Sequence, residues 1–442
     1  LRVAQRDGGD TATPAHISAV TVNCYLRIAG NRNRGRRAPR QDGSLARNEE
    51  GLVRIASLCV ALVVFGFCSP AQALTPNRIA EIERRVPELM ELAGVPGLTM
   101  AVVEDGQVTW AGAFGVRSVD TGEPVDTGTM FEAASMTKPV TAYVAMRMQE
   151  RGELDLDAPL FTHLNDDSYT SRDRYERLTA RHVLTHMTGL PNWGSEFQAD
   201  PGERYGYSGE GFEYLGRVLA EIAGVPLEEL VAGEAFGPLG MTGSSMVSNE
   251  TYEANGATGH DSHGFPNNRR FRTEPNGGSS MLTTATDYAT FLVAVMDARG
   301  LAPETVGLML TPQVEAMEWD GSGPDKHVRW GLGWGLQPSA DGYAYWHWGD
   351  NGDLRGYATA DPVERAGVVY FANSSNGHAL AEDLVALVVP EHQWALDWLG
   401  ERQYDDPERV AQLAIERAYM EQGVDAGRAA ILEAKNSVPG AV

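Results

Sequence analysis

The chain has 442 residues, 43% of them hydrophobic, enough for a sizeable core in one large domain or two or three smaller ones. Its formal net charge of −24 repels phosphate backbones and argues against nucleic acid or an anionic membrane surface as a partner. Its three cysteines, Cys24, Cys59 and Cys68, all lie in the first 73 residues, so the remainder can form neither a disulfide nor a thiolate metal site.

Those first 73 residues carry 10 Arg against 5 Asp or Glu, which leaves residues 74–442 with a net charge of −29. Residues 1–50 are rich in Arg, Gly and Asn and lack periodicity. Arg54 then precedes a 13-residue, largely apolar run over 55–67, and Cys-Ser-Pro-Ala-Gln-Ala ends at Ala73. A positive residue, a short apolar run and a small-x-small end predict a secretory signal peptide over about 53–73. The run is short for a membrane span. Phe67 before Cys68 argues against lipoprotein processing, which needs a small residue there. No Met precedes Met90, so translation is expected to start near Leu52 or Val53 on a non-standard codon. The expected product is periplasmic or secreted, with no stable membrane association after cleavage.

From residue 74 the pattern is that of a folded chain. Ile79, Ile82, Val86, Leu89, Met90 and Ala93 fall at helical spacing over 77–93, with Thr75-Pro76 as a start. Apolar runs at 98–103 and 108–114 flank Glu104-Asp105-Gly106 and predict a β-hairpin. Helices are predicted from Ser135 to about Arg151, over 181–186, over 212–224 and over 286–298. Runs at 343–348, 355–360 and 367–373 predict successive antiparallel strands, with Asp361-Pro362 as a turn. The Gly-rich run 331–335 lacks phosphate-loop spacing and predicts tight strand packing. Residues 406–436 form two short amphipathic helices broken at Gly423, expected to pack on the main domain. The order predicts an α/β (α+β) fold, with a central antiparallel sheet from both chain ends, flanking helices and an all-helical insert. Three regions are expected: a removed leader at 1–73, a main domain at 74–389 and a helical extension at 390–442.

The chemistry concentrates at Ser135 and Lys138. Positions i and i+3 share a helix face, and a serine hydroxyl needs a neighbouring base to act as nucleophile. Lys occurs only at 138, 326 and 435, so 33 of the 36 basic residues are Arg. Arg cannot be deprotonated in a protein, so a Lys kept three residues after a Ser points to a removable proton. His182 and His186 have the i, i+4 spacing of a metal pair, but no Glu follows His182, and no metal or other cofactor is expected. His260 and His263 lie in a Gly-rich loop and are expected to be solvated. No Gly-x-Ser-x-Gly elbow occurs, which removes the main support for an α/β-hydrolase.

Several segments in order resemble the serine β-lactamase and penicillin-binding-protein superfamily, in particular the branch of class C β-lactamases, D-amino-acid-specific peptidases and related esterases. Residues 131–140 resemble its nucleophile helix, and 182–191, His-Val-Leu-Thr-His-Met-Thr-Gly-Leu-Pro, resemble the segment that follows. Tyr207-Ser208 is similar to its Tyr-x-Asn loop, and 277–291 and 331–335 to two further segments. His347-Trp348-Gly349 stands where the family has Lys-Thr-Gly or His-Thr-Gly. The likeness spans about 79–389 and implies a β-lactamase/transpeptidase-like fold.

The resemblance implies that Ser135 forms an acyl-enzyme, that Lys138 takes or relays its proton and that Tyr207 shares the proton traffic. It implies an oxyanion site made by the backbone N–H groups of Ser135 and Asp350, beside a wall of His347, Trp348 and Gly349. Gly209 replaces the loop Asn that helps hold a substrate amide, and His347 and Trp348 replace the family's Lys and hydroxyl. Arg355 is left as a carboxylate partner. The expectation is a secreted serine hydrolase of esters or D-amino-acid-type amides, acting on a small-molecule or peptide substrate. The alternatives are a class C-like β-lactamase, a D-alanyl-D-alanine carboxypeptidase or a non-hydrolytic penicillin-binding sensor. The chain does not specify an oligomeric state.

Overall fold

The computed structural model describes residues 74–317 and 326–438. The predicted leader at 53–73 lies outside the described residues. The first helix, α1 (Pro76–Ala93), starts where expected, because the Thr75 side chain accepts from the Arg78 N–H and Pro76 opens the first turn. It ends at Gly94, which takes the left-handed conformation that closes a helix. Its buried face, Ile82, Val86, Leu89, Met90 and Ala93, packs in one core cluster with Leu98, Met100 and Val102.

Those three residues sit on β1 (Gly97–Glu104), whose alternate residues Ala101 and Val103 enter a second cluster. With both faces covered, β1 is buried along its whole length. It pairs with β2 (Gln107–Gly115) through the predicted hairpin. A two-stranded ribbon, β3 (Phe131–Glu132) with β4 (Leu282–Thr283), pins the two ends of the insert together. The insert is thus helical except for this ribbon and its loops. The sheet is completed by β5 (Val314–Glu315), β6 (Arg329–Trp330), β7 (Gly335–Ser339), β8 (Gly342–Asp350), β9 (Arg355–Asp361) and β10 (Ala366–Ala372). The eight-stranded order is β2-β1-β10-β9-β8-β7-β6-β5, every pair antiparallel, so both ends of the domain meet at the β1–β10 pair. The 331–335 run joins β6 to β7.

Two expectations need correction. The helix expected over 181–186 is Ala180–Leu184, and His186 lies beyond it at φ 56. His260 is buried, not solvated: it accepts from the Val119 N–H through Nε2, and its Nδ1 meets the Asn373 carbonyl at 2.8 Å. The polar groups of two chain segments converge there, which a loop reading of the sequence cannot reveal. The extension's helix Trp394–Leu399 is tied to the main body: the Trp398 indole donates to the Ala316 carbonyl and the Ala395 N–H to the Gln337 side chain. The helices Pro407–Gln422 and Val424–Ser437 follow, turning at Gly423, and Arg409 donates to Asn376. No helix among the described residues is long and apolar enough to cross a membrane.

Trp334 tests the core away from the site. It is fully buried, 5.8 Å from the Phe291 ring and 4.8 Å from Tyr345. Trp334→Ala is expected to cost about 3–5 kcal/mol in urea unfolding, the range for truncating a large buried aromatic.

Candidate active site

Ser135 sits on the single 3-10 turn Ala134–Met136 that leads into α2 (Thr137–Glu150). The turn is held from outside. Ala133 N–H donates to the Met281 carbonyl, Met281 N–H donates to Thr137 Oγ1, and Tyr288 donates to the Met136 carbonyl. Ala134 takes φ 49, an uncommon left-handed conformation for a residue with a Cβ, directly before Ser135. These anchors maintain that strain and fix where the hydroxyl points.

Lys138 Nζ lies 3.0 Å from Ser135 Oγ and 2.8 Å from the Gly278 carbonyl. The lysine is fully buried, and burial pushes its amine down from 10.5 to about 7. No carboxylate offsets that effect. The positive end of α2 works in the same direction, since Lys138 lies in its first turn. A neutral amine can donate one hydrogen to Gly278 and offer its lone pair to the serine proton.

Tyr207 presents its ring to the same amine, 4.8 Å from Nζ to the centroid. Its ring is held between His186, 4.3 Å away, and Trp348, 4.5 Å away. Ser208 caps the helix Gly209–Ala223 by accepting from the Gly211 N–H, which sets the loop carrying Tyr207. Ser208 also donates its N–H to His186 Nδ1. In neutral His186 the proton is therefore on Nε2. Burial, then the charges of Lys138 and His347, hold that ring well below the usual imidazole range. His347 has the opposite tautomer: Nδ1 meets the Trp348 carbonyl at 2.8 Å, so the lone pair is on Nε2. Burial first and Lys138 second push His347 down to about 3. Both Nε2 atoms are buried without a hydrogen bond among the described residues.

β8 passes close to the serine turn. A Cβ at Gly349 would lie 2.3 Å from the Ala133 carbonyl oxygen, so only glycine allows this approach. Asp350 ends the strand, and its carboxylate turns away to pair with Arg355 and to accept from Gly352 N–H. Arg355 thus does not stand free as the expected carboxylate partner: its guanidinium is held by Asp350 and lies 4.0 Å from Glu401. The pairing arises because residues 350 and 355 face each other across β8 and β9. Gly209 has a spatial explanation too. A Cβ there would fall 2.9 Å from Asn192 Oδ1 and from the Trp193 ring.

The structure brings Ser135, Lys138, Tyr207, His347, Trp348 and Gly349 together. It adds three groups the sequence reading did not assign: the Gly278 carbonyl, His186 and Trp398. The Trp398 ring lies 5.9 Å from Trp348 and 5.8 Å from Trp346. A backbone carbonyl has no signature in sequence, and Trp398 is remote in the chain. His186 alone had a signal, its place in the 182–191 segment. Among the described residues no cluster of His, Cys, Asp and Glu could hold a metal.

The fold and this site define a serine hydrolase. Residues 82–390 match the family model described as Beta-lactamase, and the chain belongs to that family. It is 28% identical over 297 residues to an esterase, EstB, of Burkholderia gladioli, covering 54% of this chain and 74% of that one. It is 21% identical over 213 residues to protein flp of Staphylococcus aureus, covering 43% of each. Among solved structures it resembles an octameric penicillin-binding protein homologue from Pyrococcus abyssi. There the TM-score is 0.60 at 24% identity, over 76% of this chain and 81% of that one. It also resembles the D-alanine carboxypeptidase AmpC from Burkholderia cenocepacia, with TM-score 0.60 and 21% identity over 71% and 99%.

The buried amine makes stability depend on pH. The unfolded chain keeps this proton to about pH 10.5 and the folded chain only to about 7. Between those values the unfolded state binds more protons, so stability rises with pH. Relative to Lys138→Met, the wild type is expected to gain up to about 1.4 kcal/mol per pH unit from pH 7.5 to 9.5 in urea unfolding. A pH-independent difference would contradict the depressed amine.

Proposed function

We propose that this protein is an exported esterase that works through an acyl-enzyme on Ser135. The observation that carries the reading is the 3.0 Å contact between Ser135 Oγ and the buried Lys138 amine. Neutral Lys138 takes the hydroxyl proton as Oγ attacks the ester carbonyl. The oxygen that becomes negative lies toward the backbone N–H groups of Ser135 and Asp350, across the close approach at Gly349. The alcohol leaves with a proton returned from the Lys138 and Tyr207 pair. Water then enters by the reverse route and frees the acid.

The wall chemistry favours an ester over an anionic β-lactam. His347 is neutral, Trp348 offers a single donor, and Arg355 is already paired. Asn192 and Trp193 fill the space next to position 209, so an asparagine there has no room to hold an amide. The relative named an esterase supports the same reading. Export through the leader at 53–73 is part of this proposal, as is a mature chain that acts outside the cytoplasm.

The test compares a p-nitrophenyl ester, a D-alanyl-D-alanine peptide and a chromogenic cephalosporin. The ester is expected to be turned over fastest, and Ser135→Ala to reduce that turnover at least about 10³-fold. A stable adduct on Ser135 without turnover would instead identify a penicillin-binding sensor. Because the base must be unprotonated, kcat/KM for the ester is expected to rise about tenfold per pH unit up to about 7 and then level off.

A further inference from the structure

Glu104 closes β1 and is 8% exposed. Its Oε2 accepts from the Leu74 backbone N–H at 2.7 Å and from the Thr109 hydroxyl at 3.4 Å. Among the described residues it forms no ion pair. Arg78 lines the same cavity of about 420 Å³, but it donates to the Leu387 and Val388 carbonyls. Asp341, Asp361, Glu364, Glu391 and His392 also lie along its wall. A carboxylate taken out of water and met only by neutral donors is costly, and an acidic surround adds to the cost.

The nitrogen that Glu104 grips has a special place in the sequence. It belongs to the residue directly after Ala71-Gln72-Ala73, the small-x-small end of the predicted leader. The Leu74 side chain already packs against the core cluster of α1, and Thr75 beside it caps that helix. The folded chain is therefore anchored from Leu74 onward.

We infer that Glu104 is the receptor for the α-ammonium group that leader removal creates at Leu74. This rests on the export reading above. A leader peptidase adds water across the Ala73–Leu74 amide: the acyl carbon becomes the Ala73 carboxylate, and the released Leu74 amine takes up a proton. The single neutral N–H becomes an ammonium with three donors and a full charge, held against a mostly buried carboxylate. The hydrogen bond becomes charge-assisted, and such bonds are roughly twice as strong as neutral ones. Processing thus completes the fold at the end of β1, on elements that carry none of the site residues.

The test uses the full chain expressed with export. N-terminal sequencing of the product is expected to start at Leu74. The α-amine is then acetylated, with peptide mass spectrometry to confirm that Lys138 is unmodified. Acetylation is expected to lower the Tm of the wild type by roughly 2–4 °C and to leave Glu104→Gln unmoved. Ester turnover near 25 °C is expected to be unchanged in both. Equal shifts in the two proteins overturn the ion pair while leaving export intact. A mature end elsewhere overturns the export reading with it. If Glu104→Gln does not fold, the acetylation rate of the native wild type decides: a rate as fast as that of an exposed α-amine overturns the proposal, and a strongly slowed one supports it.

Discussion

Lys138 is fully buried, and an amine out of water holds its proton weakly because nothing solvates the charge. The rest of the site is arranged around that condition. No carboxylate lowers the energy of the ammonium; the nearest groups are a carbonyl, a hydroxyl, a phenol ring and two histidines held neutral. Lys138 depresses both histidines and His347 also depresses His186, since a charge in this volume disfavours the next. A carboxylate here would restore the ammonium. On the proposed reading, a free lone pair on Lys138 requires that carboxylates stay away from it.

The dry environment is built from aromatic rings contributed by distant parts of the chain. Trp330 on β6, Trp346 and Trp348 on β8 and Trp398 on the extension lie within 5.7–6.4 Å of one another, centroid to centroid. Tyr205, two residues before Tyr207, joins them at 6.4 Å from Trp398. The aromatic wall beside Tyr207 therefore includes a residue from the C-terminal extension. This gives the extension a physical reason to be docked and ties the reactivity of the amine to its packing. Aromatic rings suit the task because they bury a large area with few rotatable bonds.

The legible parts were those where one local pattern decides the outcome. α1 has a cap, a proline start and a glycine stop, and the hairpin 97–115 has a turn between two apolar runs. The Ser135–Lys138 pair stood out because lysine is almost absent elsewhere. The strands β5 and β6 were not legible, because two residues each give no alternation to read, and they exist only because the sheet edge supplies partners. His186 was misplaced because its positive φ results from tertiary demands: its N–H bonds the Val183 carbonyl while its ring receives Ser208. Arg355 looked available because a sequence cannot show that Asp350 stands opposite it in the ladder.

That last point bears on selectivity. A site that recognises a carboxylate-bearing substrate needs a cation it can spare, and the free energy of that pair comes from replacing solvent on both partners. Here Arg355 is neutralised by Asp350, with Glu401 adjacent, and His347 gains no proton at working pH. Lys138 offers no permanent charge either, since burial holds its amine down to about 7. A substrate carboxylate brought to this wall would lose its water and find no full charge in return, whereas a neutral ester loses little. On the esterase reading proposed above, the burial that would make Ser135 reactive would also sort substrates, and the two properties could not be tuned apart: a spare cation introduced to hold an anionic substrate would further depress Lys138, and its counter-ion would raise it again.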